Sequence, residues 1–101
     1  MVIYVDIDGT ICYNMRYNGN VDIDYSNAIP DFAAIVKINK LYDEGHTIIY
    51  WTARGSVTGR NWYQLTIHQL NAWNVKYHEV RMGKPAYDLI ICDKSKRIEE
   101  I

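Results

Sequence analysis

The sequence has few of the residues that mark special classes of protein. It contains only two cysteines, Cys12 and Cys92, which are too few for a disulfide framework and fit no metal-binding spacing. We therefore expect reduced thiols in a cytoplasmic protein. No charged stretch followed by a short apolar run resembles a secretory signal, and no apolar run approaches the length of a membrane span. We expect no membrane partner.

Strong charge of either sign is also missing. Eleven Lys and Arg residues nearly balance twelve Asp and Glu residues, which gives a formal net charge of -1 and a pI near 6.3. A nucleic-acid-binding protein usually carries a basic face, so we expect no nucleic-acid partner and a small soluble substrate. With 101 residues, of which 49% are hydrophobic, the chain is long enough for one domain over 1–101 and too short for a second.

Apolar runs alternate with helical periodicity along the chain. The runs predict four strands, at 2–5, 47–51, 75–80 and 89–92. Pro30 fits the first turn of one helix, which Gly45 ends, and a stripe from Tyr63 to Trp73 predicts a second. Its members are Tyr63, Ile67, Leu70 and Trp73. Residues 94–101 predict the start of a terminal helix, and residues 11–27 are polar and aromatic, as in a flap.

Right-handed crossovers between these strands predict a particular α/β fold. It is a Rossmann-like three-layer fold, with a small, mainly parallel sheet in the order 4-1-2-3 of the predicted strands. The chain has no insertion large enough for a cap domain. Ligands of such sheets bind at the carboxyl ends of the strands.

The segment Asp6-Ile7-Asp8-Gly9-Thr10 follows the first predicted strand directly. Residues i and i+2 of an extended chain project to the same side, so Asp6 and Asp8 can converge on one point. The alternative is a solvated turn, since Asp and Gly are common turn residues. The other strand ends add Thr52, Lys84 and Asp93, and together these groups predict a phosphate-handling site.

These residues, in this order, resemble the haloacid dehalogenase (HAD) superfamily of aspartate-nucleophile phosphohydrolases, over nearly the whole chain. More narrowly, the segments 4–11, 50–55 and 83–88 resemble the small capless phosphatases associated with bacterial capsular polysaccharide biosynthesis. The narrower resemblance implies a small phosphorylated sugar or polyol as the substrate.

The resemblance also implies a role for each matching residue. Asp6 would be the nucleophile and Asp8 the general acid and base. Thr52 would bind a phosphate oxygen, and Lys84 would neutralise charge. Mg²⁺ would be held by the side chains of Asp6 and Asp93 and by the carbonyl of Asp8. The neighbouring residues expected to contact the substrate are Gly9, Thr10, Ala53 and Arg54.

Other interpretations stay open for single residues. Thr52 could simply end a strand, Lys84 could be an ordinary loop lysine, and Arg54 and Arg60 could be solvated. Many relatives place a second acid near the metal-binding aspartate, where this chain has Arg97 and Ile98, so metal affinity could be modest. The flap residues that could contact the substrate are Tyr13, Arg16 and Tyr17.

Other interpretations also stay open for the whole chain. It could be a catalytically silent phosphate-binding or assembly module, or a receiver-like phosphosignalling domain. A receiver carries its phosphorylated aspartate after the third strand, however, where this chain has Val80 and Arg81. Nine tyrosines and three tryptophans also leave a homo-oligomer open.

Overall fold

The structure is a computed structural model, which describes residues 1–14 and 23–101. Its main sheet has three parallel strands, β1 (Val2–Val5), β4 (Thr47–Trp51) and β5 (Glu79–Arg81), in the order β1-β4-β5. A small antiparallel pair joins β2 (Cys12–Tyr13) to β3 (Ile29–Pro30). The prediction of a small α/β domain with a parallel sheet is confirmed.

Two helices, α1 (Phe32–Asp43) and α2 (Tyr63–Ala72), connect the strands of the main sheet. The Asp31 side chain caps α1 by accepting a hydrogen bond from the Ala34 N–H at 3.1 Å. The helix therefore begins two residues after Pro30, which lies in β3 instead of the predicted first turn. The helix buries Ile35 and Ile38 in the core.

Both helices pack on one face of the main sheet. Val5, Ile48 and Tyr50 on that face share a buried cluster with Ile35 of α1 and Leu70 of α2. Consecutive strands joined by right-handed crossovers place their helices on the same side. The prediction of three layers is therefore wrong for the residues that the structure describes, which form two.

The opposite face of the sheet carries the alternate residues of each strand. Val2 and Tyr4 of β1 are 64% and 47% exposed. Tyr4 contacts the edge of the Trp51 ring, with 5.7 Å between ring centroids, and its hydroxyl accepts a hydrogen bond from Arg81. This aromatic face remains open to solvent in part.

Two predicted strands differ from the observed ones. The third lies at Glu79–Arg81 instead of 75–80, because Val75 donates its N–H to Leu70 and ends α2. The fourth, 89–92, is not formed, so the predicted order 4-1-2-3 is wrong. The terminal helix is a single 3-10 turn at Ile98–Glu100.

The missing fourth strand has a physical reason. Lys84 is fixed at the carboxyl end of β4, since its N–H donates to the Thr52 carbonyl at 3.0 Å. Only four residues separate Lys84 from Leu89, and the chain must return to the amino end of β1 within them. The middle of the predicted flap, including Arg16 and Tyr17, lies outside the described residues.

Candidate active site

Asp6 and Lys84 meet at the carboxyl end of the main sheet. The Lys84 ammonium lies 3.5 Å from Asp6 Oδ1, which also accepts a hydrogen bond from the Ile7 N–H at 2.9 Å. Burial raises the pKa of Asp6, and the positive charge of Lys84 opposes that rise. Among the described residues, no group donates to Asp6 Oδ2. This oxygen is therefore available to a ligand.

Lys84 is held in place by aromatic rings as well as by its backbone. Its ammonium lies 5.9 Å from the centre of the Trp51 ring and 5.2 Å from that of Tyr87. Cations at such distances are attracted by the ring faces. The side chain is only 12% exposed. The interpretation of Lys84 as an ordinary solvated loop lysine does not fit this position.

Asp8 is bound by a buried arginine. Arg54 donates from Nε to Asp8 Oδ2 and from Nη2 to Asp8 Oδ1, each at 2.9 Å. This two-point contact fixes the plane of the carboxylate. Oδ1 also accepts a hydrogen bond from Asn14 Nδ2 at 2.6 Å and a weak one from the Cys12 thiol. Oδ2 accepts only the Arg54 bond among the described residues, so it has room for a further partner.

Arg54 itself is fully enclosed, with a side-chain exposure of 0%. Its Nη1 donates to Thr66 Oγ1 at 3.1 Å and to Gln69 Oε1 at 2.6 Å, and its guanidinium lies over the Tyr25 ring. In this position Arg54 orients Asp8 from behind, and its contact with the substrate stays a prediction. Its burial also rules out the alternative of a solvated arginine.

The neighbouring Cys12 thiol belongs to the same buried set. Its burial, together with the negative charge of Asp8, raises the pKa of Cys12 to about 12. The thiol stays protonated at neutral pH and acts as a weak donor. It is not a nucleophile in this environment.

Thr52 is almost completely buried and follows β4 directly. Its hydroxyl accepts a hydrogen bond from the Arg54 N–H at 3.1 Å and donates none among the described residues. The hydroxyl proton thus remains available to an acceptor such as a phosphate oxygen. The loop that holds Thr52 also depends on Gly55, where φ is +81° and a Cβ atom would collide with the Arg60 carbonyl oxygen.

The remaining predicted contacts lie beside this centre. Gly9 adopts a φ of +80° and is exposed, and its N–H donates to the Cys12 carbonyl at 2.8 Å. This turn carries the chain away from Asp8 towards β2. Thr10 and Ala53 are half-buried on the two loops that flank the centre. Gly9, Thr10 and Ala53 therefore lie on the loops that carry Asp8 and Thr52.

Asp93 does not join Asp6 and Asp8. It is exposed, and a weak contact with the Cys92 thiol is its only described hydrogen bond. Within residues 1–14 and 23–101, no three His, Cys, Asp or Glu side chains are grouped as metal ligands. The three-ligand Mg²⁺ set is therefore not assembled in this arrangement.

A cleft of about 190 Å³ opens between the loops that follow β4 and β5. Ser56 of its wall donates its hydroxyl to the Lys84 carbonyl at 2.7 Å. Arg60 is exposed on the same wall. The residues that line the cleft include Gly55, Ser56, Arg60, Asn61, Trp62 and Met82.

Sequence reasoning missed the residues that hold Arg54. Thr66 and Gln69 are buried at positions i and i+3 of α2, beside the core residue Leu70. The predicted stripe instead included Tyr63, which is 42% exposed. The signal in the sequence was a pair of polar residues, Thr66 and Gln69, on the side of the helix that also carries Leu70. A buried cation requires such acceptors.

Comparison with known proteins supports the fold. An MCSG target from Vibrio cholerae, known from its crystal structure, has a TM-score of 0.74 and 27% sequence identity to this chain. The similarity covers 98% of this chain and 85% of that protein. No protein-family model matches the sequence, and no curated protein does either. Among the described helices, none has the length and apolarity to cross a membrane.

Proposed function

We propose that the protein is a phosphomonoester hydrolase of the HAD type, which acts through an aspartyl-phosphate on Asp6. A small phosphorylated sugar or polyol, consumed in the cytoplasm during capsule precursor synthesis, is the proposed substrate. The observation that carries the proposal is the free Oδ2 of Asp6 beside Lys84, next to a second carboxylate whose orientation is fixed. A nucleophile, a cation and an acid/base group are what phosphoryl transfer requires.

In the first step, Asp6 Oδ2 attacks phosphorus, and the bond from phosphorus to the ester oxygen breaks. The Lys84 ammonium stabilises negative charge on the transferring group, and the Thr52 hydroxyl donates to one of its oxygens. The departing alkoxide takes a proton from Asp8. That proton is placed on Oδ2 of Asp8, because Oδ1 already accepts from Arg54, Asn14 and Cys12.

In the second step, Asp8 Oδ2 takes a proton from water while the water oxygen attacks phosphorus. The bond from phosphorus to Asp6 breaks, which releases phosphate and restores the Asp6 carboxylate. Arg54 keeps the Asp8 carboxylate in one plane throughout, since its own position is set by Thr66 and Gln69. The leaving alcohol occupies the cleft beside Lys84.

We also propose that turnover requires Mg²⁺. Phosphate dianions and carboxylates repel each other, and a divalent cation reduces that repulsion. Of the two carboxylates at the site, Asp6 is the one with an oxygen, Oδ2, that accepts no hydrogen bond from the described residues. Because the three expected Mg²⁺ ligands are not grouped in this arrangement, the two steps above use only the side chains of Asp6, Asp8, Thr52 and Lys84.

The proposal is tested by hydrolysis of an aryl phosphate and of glycerol phosphate, with Mg²⁺ and with EDTA. Asp6→Asn should lower kcat by at least about 10³-fold, as expected for loss of a covalent nucleophile. Asp43→Asn, a change at an exposed carboxylate of α1, is the matched control. Wild-type kcat in Asp6→Asn would refute covalent catalysis by this residue.

A second candidate is a phosphate-binding module without turnover. The incomplete metal ligand set favours it, since binding needs only Lys84, Thr52 and a neutralising environment. Calorimetric binding of inorganic phosphate, lost in Lys84→Ala and unaccompanied by hydrolysis of either ester, would identify such a module.

A further inference from the structure

The ammonium group of Lys84 lies between two aromatic rings and one carboxylate. Its Nζ is 5.9 Å from the centre of the Trp51 ring, 5.2 Å from that of the Tyr87 ring and 3.5 Å from Asp6 Oδ1. The side chain is only 12% exposed. Among the described residues, Asp6 is the one carboxylate within ion-pair distance of this ammonium. The rings therefore replace part of the water that would otherwise surround the cation.

The Trp51 ring is itself fixed by neighbours on the open face of the sheet. The edge of the Tyr4 ring contacts it, with 5.7 Å between centroids and 76° between the ring planes. The Tyr4 hydroxyl accepts a hydrogen bond from Arg81, whose guanidinium lies 5.4 Å from the centre of the Tyr4 ring. Arg81 in turn pairs with Glu79. The ring beside Lys84 is thus tied to all three strands of the main sheet.

Tyr87 is the more exposed of the two rings. It follows Lys84 by three residues, in a segment without helix or strand, and it is 47% exposed. Among the described residues, its hydroxyl makes no hydrogen bond, whereas its ring lies against the Lys84 ammonium. Composition and exposure alone would describe Tyr87 as a surface residue. The contact of its ring with a nearly enclosed cation indicates another role.

The kind of group that holds a cation decides how much charge the cation keeps for its ligand. A second carboxylate would neutralise the Lys84 ammonium and would occupy one of its three hydrogens. An aromatic ring attracts a cation through its quadrupole and carries no net charge. Lys84 therefore keeps its positive charge beside Asp6, where phosphoryl transfer adds negative charge.

We propose that Tyr87 is a positioning residue for the reaction assigned above, an inference that rests on the proposed function. Together with Trp51, its ring holds the Lys84 ammonium against Asp6 without neutralising it. The transferring phosphoryl group then meets a cation that is already in place, so the long lysine side chain need not be ordered during the reaction. In this role Tyr87 acts through Lys84 and does not contact the substrate.

Two substitutions separate the ring of Tyr87 from its hydroxyl and its bulk. Tyr87→Phe keeps the ring, so kcat/KM for glycerol phosphate with Mg²⁺ should stay close to that of the wild type. Tyr87→Leu keeps an apolar side chain without the ring, and kcat/KM should fall about three- to thirtyfold, as expected for loss of one cation–π contact. Because position 87 is 47% exposed, both variants should fold.

Tyr63 provides the matched control. It is also a partly exposed tyrosine, at 42%, and it lies on α2. Tyr63→Phe and Tyr63→Leu should both keep a kcat/KM close to that of the wild type, because exposed substitutions away from a site have small effects. The comparison separates loss of the ring at position 87 from loss of any exposed tyrosine.

A spectroscopic measurement follows the lysine without any turnover. Protons over the face of an aromatic ring resonate upfield, so the ε-methylene protons of Lys84 should be shifted upfield from those of the other lysines. Protein labelled with ¹³C-lysine gives these signals by NMR, and Lys84→Met assigns the signal by removing it. The upfield shift should persist in Tyr87→Phe and should decrease in Tyr87→Leu.

The two measurements have separate meanings. An upfield shift that is absent from the wild type, or unchanged in Tyr87→Leu, would overturn the contact between the ring and Lys84. An equal fall of kcat/KM in Tyr87→Phe and Tyr87→Leu would overturn the role of the ring, as would wild-type kcat/KM in Tyr87→Leu. A wild type that hydrolyses no ester would refute the proposed function, and the NMR shifts would still decide whether Tyr87 holds Lys84.

Discussion

Asp6 illustrates how a site residue can oppose the stability of its own fold. Burial raises the pKa of Asp6 above its ordinary value of 3.8, although Lys84 counteracts the rise. The folded state therefore holds a proton on Asp6 at pH values where the unfolded chain has released it. The contribution of this group to stability is present below pH 3.8 and is lost as the pH rises through the folded pKa.

Replacing Asp6 should reverse this loss. We expect Asp6→Asn to unfold at a higher urea concentration than the wild type at pH 7, in the presence of EDTA. The difference should shrink as the pH falls below 3.8, where Asp6 becomes protonated in the folded and the unfolded state alike. Urea titrations at a series of pH values provide the measurement. A lower stability of Asp6→Asn at pH 7 would mean that Lys84 outweighs desolvation.

Arg54 shows the opposite case, a charge that the fold has paired fully. Arg54→Ala leaves Asp8 partly buried without its counter-charge and should lower the free energy of unfolding by about 3–5 kcal/mol. Arg81→Ala is the matched control, since its pair with Glu79 is solvated, and stability should barely change. Similar urea midpoints for the two variants would contradict the central place of Arg54.

At the scale of elements, α2 serves the site as much as the core. Its buried face carries Thr66 and Gln69, which both accept from Arg54, beside Leu70. Gln69 also donates to the Tyr25 carbonyl at 2.6 Å, which ties the helix to the end of the flap. Through these bonds, the position of the helix determines the orientation of Asp8.

Gln69→Leu should therefore affect both stability and turnover. The change leaves a buried guanidinium hydrogen without its acceptor, which costs about 1–3 kcal/mol. Gln64→Leu on the exposed side of the same helix is the control. Urea unfolding and kcat on glycerol phosphate measure the two effects. If Gln69→Leu lowered stability but left kcat and its pH profile unchanged, Gln69 would have no positioning role.

Some helices and strands can be predicted from the sequence more completely than others. β1, β4 and α1 were predicted from apolar runs and helical spacing, because their side chains pack within this domain. On α2, the predicted stripe included the buried Leu70 but not Thr66 and Gln69, since a threonine and a glutamine that bind a buried arginine look like surface residues in a sequence. The burial of Arg54 was not predicted for the same reason. Sequence spacing does show which loops meet, as the contact of Asp6 with Lys84 illustrates.

The apolar run at 89–92 shows a different limit. Its composition predicts burial as a strand, but composition does not tell which sheet edge receives it. The answer depends on the path of the chain from Lys84 to Leu89, and that path begins where Lys84 is fixed. The fixing bond, from the Lys84 N–H to the Thr52 carbonyl, is visible only in the structure.

At the scale of the whole molecule, the described residues form a two-layer domain with one open sheet face and two open sheet edges, those of β1 and β5. The candidate nucleophile lies at the carboxyl end of β1, a strand that carries one of these edges. A segment that binds to the open edge of β1 would therefore also lie close to Asp6. We expect metal dependence to respond to a change at Asp93, the second predicted carboxylate ligand of Mg²⁺.

Asp88 and Asp93 separate this effect from a general disturbance of the segment, because they bracket residues 89–92 and are both exposed. When 89–92 is extended, their Cα atoms lie roughly 16 Å apart at about 3.3 Å per residue, and one Mg²⁺ with ligands near 2.1 Å cannot bind both. We expect Asp93→Ala to raise the Mg²⁺ concentration for half-maximal activity at least about tenfold, as for loss of one carboxylate ligand. Asp88→Ala should leave it nearly unchanged, because that residue lies at the opposite end of residues 89–92. Titrations of activity with Mg²⁺ measure both variants, and a loss of metal affinity confined to Asp88→Ala would reverse the direction of the strand and the choice of ligand.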